Sequence, residues 1–74
     1  MREPKLRYLF HAVSETGYYD DREGTNFDTD EDAVAYGAVI AQELAIDSSL
    51  QGFSILVVND LGKIVGRVPI EAIH

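Results

Sequence analysis

The 74-residue sequence carries 13 acidic and 6 basic side chains, a net charge of −7, and no cysteine. Its length fits one small domain over residues 1–74, and without cysteine neither a disulfide nor a thiolate zinc site can form. The negative charge opposes binding to nucleic acids and to anionic membranes. Because no apolar stretch reaches the length of a signal peptide or a membrane span, we expect a cytoplasmic protein.

The first predicted strand is "LRYLFHAV", residues 6–13. Side chains alternate across a strand, so each face is a separate set. The face expected to meet the core holds Leu6, Tyr8, Phe10 and Ala12. The opposite face holds Arg7, Leu9, His11 and Val13. The following "SETG" predicts a turn, and "YYD" predicts a short second strand.

Helical spacing begins at Asp30 and continues to about Ile46. Small and apolar residues fall on one stripe of this helix: Ala33, Gly37, Ile40, Ala41 and Leu44. A glycine inside a helix costs about 1 kcal/mol relative to alanine. Gly37 therefore indicates a close approach of the helix to a sheet.

The last predicted unit is a β-hairpin over residues 53–70, with two β-branched runs around "NDLG" and Gly62 in the left-handed conformation. Pro69 lacks an N–H group, so the last strand ends there or lies at a sheet edge. The order of elements predicts an α+β fold of the ββαββ type, with one helix on a small, mainly antiparallel sheet. We expect the strand order 2-1-3-4. The strand residues expected in the core are Tyr8, Phe10, Ile55, Val57, Ile64 and Val68.

A metal site is one interpretation of "DTDED", because Asp28, Asp30 and Asp32 alternate as the first ligands of a calcium loop do. Such a loop also needs glycine at its sixth position and glutamate at its twelfth. Counted from Asp28, these positions hold Ala33 and Val39. The sequence therefore predicts no metal site here.

Helix capping explains the same acidic residues. Thr29 can accept a hydrogen bond from the N–H of Asp32, whose side chain can reach back in a variant of the capping box. Carboxylates in a first turn also stabilise the positive end of a helix, by about 0.3 to 1 kcal/mol each. We therefore predict a helix start at Thr29.

His11 is the candidate reactive residue, because neutral imidazole is the usual general base and metal ligand. Ser14 and Glu15 follow it and offer a hydroxyl and a carboxylate. However, the sequence has no nucleophile elbow and no histidine pair at ligand spacing. A structural or surface role for His11 is the alternative. Tyr18 and Tyr19 either stack on a ligand or pack within the domain.

The face opposite the core has its own apolar residues. If the first strand neighbours the third, one contiguous patch forms from Leu9, Val13, Leu56, Val58 and Val65. Small monomeric proteins rarely expose such a patch. We expect it to bind a protein partner or a second copy of the chain as a homodimer. Alternatively, the N-terminal arm or the C-terminal "EAIH" covers it.

Several short motifs resemble a family of small bacterial domains of unknown function, found largely in alphaproteobacteria. The family begins with Arg-Tyr-Phe-Phe-His, and the corresponding stretch here is "RYLFH". Further similarities are Glu23-Gly24, the alanine-rich helix of residues 33–45, the hairpin turn of residues 59–64, and the closing Pro69-Ile70. The resemblance implies the fold and supplies no activity, ligand or cofactor.

The departures from the family pattern are Leu9 for Phe, Asn59 for Asp, and the apolar Leu56 and Val58 where polar residues are usual. The last two favour a binding surface on the outer side of the sheet. We therefore predict a non-catalytic protein-interaction or regulatory module without a cofactor. The alternative is a small enzyme or ligand-binding protein that uses His11.

Overall fold

The computed structural model describes residues 6–71, which form five strands and one α-helix. The elements in chain order are β1 (Leu6–Val13), β2 (Tyr18–Tyr19), β3 (Thr25–Phe27), α1 (Asp30–Leu44), β4 (Ser54–Val58) and β5 (Ile64–Pro69). A single 3-10 turn, Ser48–Leu50, follows the helix. The predicted α+β class is confirmed, with β3 as an additional strand.

The sheet is antiparallel at every pairing, in the order β2-β1-β4-β5, with β3 also paired to β1. The predicted strand order is therefore confirmed once β3 is set aside. β2 and β3 pair with opposite ends of β1, so they form one interrupted edge, while β5 forms the other. Pro69 is the last residue of that edge strand, where its missing N–H is tolerated. No helix of residues 6–71 is long and apolar enough to span a membrane.

The core lies between the sheet and α1. Of the predicted core residues, Tyr8, Phe10, Ile55 and Val57 are buried, and Val68 packs against them. Leu6 was predicted to be in the core but is 44% exposed, because it starts β1 at the border of the sheet. The unpredicted β3 contributes Phe27, whose ring lies 6.0 Å from that of Phe10.

The helix begins as predicted. Thr29 is the N-cap, and its side-chain oxygen accepts a hydrogen bond of 3.1 Å from the N–H of Asp32. The reciprocal hydrogen bond, from the Thr29 N–H to the Asp32 side chain, is not formed within the described residues 6–71. The predicted close approach at Gly37 is also confirmed: a Cβ added there would lie 2.9 Å from Cγ2 of Val57.

The hairpin turn has the predicted conformation, with Gly62 at φ 83° and hydrogen bonds that link Asn59 to Gly62 and Lys63. A bulge follows it, because Val57 pairs with Gly66 whereas Val58 pairs with Ile64. The extra residue in β5 reverses the alternation at its start. Ile64 is consequently 56% exposed, so its predicted core position is wrong, and Val65 packs against the core instead.

Candidate functional site

The sheet has one face under α1 and a second face that no helix or strand of residues 6–71 covers. Cross-strand pairs put directly opposed side chains on the same face, so the pairing defines the members of this second face. We call it the outer face; its residues on β1, β2, β4 and β5 are Arg7, Leu9, His11, Val13, Tyr18, Ser54, Leu56, Val58, Ile64, Arg67 and Pro69. Most of them are apolar.

The structure brings four of the five predicted patch residues together. Leu9 is directly opposite Val58 across β1 and β4, and Val13 and Leu56 are half-buried on the same face. The fifth, Val65, faces the core because of the bulge, and Ile64 takes its place on the outer face. Residues 1–5 and 72–74, which we considered as an alternative cover, lie outside the described residues.

Two open depressions flank the centre of the outer face. The first combines Val13, Leu56 and Ile64 with the charged Glu15 and Arg67. The second combines Leu9 and Val58 with several charged residues: Arg7, Asp20, Asp21, Arg22 and Asp60. His11 lies between the two ends of the face and lines neither depression.

The charge of this side of the domain differs from that of the helix side. The two depressions are lined by three arginines and four carboxylates, so their charges nearly cancel. Helix α1 carries four carboxylates and no lysine or arginine. The outer face is therefore nearly neutral on a protein of net charge −7.

His11 is only 9% exposed, and its Nδ1 atom has two neighbours. The N–H of Asp21 donates a hydrogen bond of 3.1 Å to Nδ1, and Oδ1 of Asp20 lies 3.0 Å from the same atom. The ring of Tyr18 lies 5.6 Å away, and its hydroxyl donates to Asp20. The register explains this arrangement, because Ala12 pairs with Tyr19 and the next position places Asp20 beside His11.

The hydrogen bond from Asp21 determines what a neutral His11 can do. A neutral imidazole carries one proton, and Nδ1 accepts from the Asp21 N–H, so the proton is on Nε2. A ring in this tautomer cannot act as a general base through Nε2. The predicted partner carboxylate, Glu15, has no contact with His11; Asp20 takes that position.

Asp21 connects the segment between β2 and β3 to β1. Its carboxylate accepts hydrogen bonds from the N–H groups of Phe10, Glu23 and Gly24, at 3.0 to 3.1 Å. The bond to Phe10 replaces the strand partner that β1 lacks between β2 and β3. Burial acts to raise the pKa of the Asp21 carboxyl, but these backbone hydrogen bonds outweigh burial and lower the pKa below its usual value.

The other candidate residues have structural contacts. The Ser14 hydroxyl oxygen accepts from the N–H groups of Thr16 and Gly17, so it stabilises the turn after β1. The ring of Tyr19 packs 5.7 Å from Phe53. Within residues 6–71, no group of three or more histidine, aspartate or glutamate side chains is arranged to hold a metal ion.

Sequence reasoning missed Asp20, Asp21 and Ile64. The signal for Asp21 was present, because Asp-x-x-Gly at residues 21–24 is a common turn pattern, and Gly24 has the expected positive φ of 74°. The bulge that exposes Ile64 could not be predicted from a pattern that assumes strict alternation of side chains.

The fold and the outer face define the chain as a small α+β domain with one sheet face under a helix and one apolar face uncovered. A family model described as "Domain of unknown function (DUF6894)" matches residues 7–71, so the chain belongs to this family. This confirms the predicted membership in a family of domains of unknown function; the bacterial origin and the N-terminal signature stay predictions. Neither a curated protein nor a solved structure matches the chain.

Proposed function

We propose that this protein is a non-catalytic interaction module that pairs with a second copy of itself through the outer face. The observation that supports the proposal best is the apolar outer face of the sheet. Its edge residues Ile64 and Tyr18 are 56% and 59% exposed, and its central residues Leu9, Val13, Leu56 and Val58 are half-buried. Covering about 200 Å² of apolar surface on each copy contributes about 10 kcal/mol before the costs of association. Those costs are of similar size, so we expect weak to moderate association.

The charges favour a second copy as the partner. Two copies of an acidic protein repel each other, and the repulsion is weakest where the charges of each copy balance. The outer face comes near this condition, because Arg67 accompanies Glu15 at one end, and Arg7 and Arg22 accompany the three carboxylates of Asp20, Asp21 and Asp60 at the other. A twofold pairing places the same patch on both copies, so the arginines of one copy can lie opposite the carboxylates of the other. The acidic surface of α1 offers no such balance.

Light scattering over a concentration series tests the proposal. We expect the mass of the parent protein to rise from monomer towards dimer at high micromolar concentration. Leu56→Lys puts a charge in the centre of the outer face and should raise the dissociation constant at least about tenfold, or about 1.4 kcal/mol. Val39→Lys is the matched control, since it makes the same charge change at an exposed position of α1.

The Val39→Lys control should associate like the parent protein. Thermal unfolding should show that both variants are folded. A parent protein that stays monomeric at millimolar concentration would contradict the proposal. Equal association of the parent and a folded Leu56→Lys variant would contradict it as well.

A further inference from the structure

The two contacts of His11 Nδ1 exclude each other. Each nitrogen of an imidazole ring either accepts one hydrogen bond in the plane of the ring or donates one. The N–H of Asp21, at 3.1 Å, requires an unprotonated Nδ1. The carboxylate of Asp20, at 3.0 Å, requires a protonated Nδ1, because two acceptors repel each other.

We propose that His11 is a proton-operated switch: neutral His11 holds the Asp21 amide, and protonated His11 releases this amide and binds the Asp20 carboxylate. The exchange occurs within one chain and therefore does not depend on self-association.

The surroundings of His11 supply what each state needs. Asp20 is about half exposed, so its carboxylate can turn to water when His11 is neutral. The Tyr18 hydroxyl binds Asp20, and the Asp21 carboxylate remains held by backbone N–H groups of β1 and its own turn. On the other side, β4 presents the uncharged Leu56, and Arg67 lies one strand farther.

The switch also reaches the outer face. Asp20 and Asp21 line the depression beside Leu9 and Val58, so movement of the Asp21 amide changes the border of that depression. The Asp21 carboxylate keeps its bond to Phe10 in both states, which limits the movement to the peptide groups around Asp20 and Asp21.

NMR of the labelled full chain tests the exchange directly. At pH 8 we expect the neutral Nε2–H tautomer of His11 and a scalar coupling across the hydrogen bond between the Asp21 nitrogen and Nδ1. At pH 5 the coupling should be lost. Hydrogen exchange of the Asp21 amide should then become at least tenfold faster relative to that of the Phe10 amide, which is the internal reference because its acceptor does not change.

Variants at the two acidic positions separate the states. Asp20→Ala should keep the coupling at pH 8 and should leave the protonated Nδ1–H exposed to rapid exchange at pH 5. His11→Gln should remove the pH dependence of the Asp21 amide. A coupling that persists at pH 5 in the parent protein would overturn the proposal, and so would a neutral ring that carries its proton on Nδ1. Both of these results come from the parent protein, so they do not depend on the folding of a variant.

Discussion

At the residue scale, single polar contacts hold the helix and the interrupted edge of the sheet in place. Tyr8 is fully buried, and its hydroxyl donates a hydrogen bond of 2.6 Å to Asp30, the first residue of α1. The hydrogen bond to Asp30, together with burial, raises the pKa of Tyr8 to about 12. The carboxylate of Asp21 likewise connects β1 to the segment before β3, by accepting hydrogen bonds from backbone N–H groups of both. The positions of Asp30 and Asp21 are thus explained by a hydroxyl partner and by backbone partners, respectively.

The Tyr8 contact predicts a loss of stability in alkali. A pKa that is higher in the folded state stabilises the fold fully below the ordinary tyrosine value of about 10, and this contribution is lost as the pH rises through about 12. Tyr8→Phe should cost about 1 kcal/mol at pH 7, because the hydrogen bond is lost while exposed Asp30 binds water instead. The stability of the Tyr8→Phe variant should then fall less between pH 10 and pH 12 than that of the parent protein. Urea unfolding at each pH measures both effects, with exposed Tyr19→Phe as the control. Equal alkaline losses in all three proteins would contradict the account.

The helix cap predicts the response to calcium. Thr29→Ala removes the acceptor for the Asp32 N–H and should lower the free energy of unfolding by about 1 kcal/mol, with or without calcium. Millimolar calcium should leave the Tm of the parent protein unchanged. A specific site at 100 times its Kd would add about 2.7 kcal/mol, a shift of several degrees in a thermal melt. Such a shift would show that the acidic stretch binds calcium.

The residues of the candidate site were only partly predictable from the sequence. Alternation in β1 correctly placed Leu9, His11 and Val13 opposite the core. The carboxylate next to His11 was wrongly identified, because the choice between Glu15 and Asp20 depends on the register of β1 and β2. Two residues in β2 carry too little pattern to fix that register.

At the scale of elements, α1 packs on β4 and β5 through its smallest residues. Gly37 lies above Val57, and β5 offers Gly66 to the helix, where an added Cβ would lie 2.6 Å from Val34. Glycines on both elements let the backbones approach. The sequence predicted this approach from Gly37 alone, because glycine is costly in a helix unless space requires it.

A double-mutant cycle tests the packing at Gly37. Gly37→Ala improves helix propensity by about 1 kcal/mol, but its Cβ meets the fully buried Val57, and overpacking costs about 1 to 3 kcal/mol. We therefore expect net destabilisation of about 1 kcal/mol in denaturant unfolding. In a Val57→Ala background the same change should be neutral or stabilising, because the opposing methyl groups are gone. Additive effects of the two changes would contradict the close approach.

Element boundaries followed local chemistry where that chemistry was strong. The Thr29 cap fixed the start of α1, and the "NDLG" turn fixed the hairpin, because a left-handed glycine and a cap each satisfy a definite hydrogen bond. β3 was missed because three residues do not form a recognisable alternation. The bulge in β5 was missed because an extra residue is set by the fit of two strands and leaves no signal in one of them.

At the scale of the whole molecule, the domain has two unlike sides. One side is the acidic helix, and the other is a nearly neutral, apolar sheet face bordered by balanced charges. A domain of this size has little core to spare, so covering the bare face would add stability as well as specificity. Association through the outer face is therefore the central proposal for the function of this protein.

Intermolecular NOEs in a mixture of labelled and unlabelled protein test this claim most directly. At a concentration where the dimer is populated, we expect contacts between copies only among methyl groups of the outer face, at Leu9, Val13, Leu56, Val58 and Ile64. These contacts should disappear in Leu56→Lys and persist in Val39→Lys. Intermolecular contacts at the exposed Val39 or Ile46 instead of the outer face would contradict the account, as would their absence from a sample whose mass is that of a dimer.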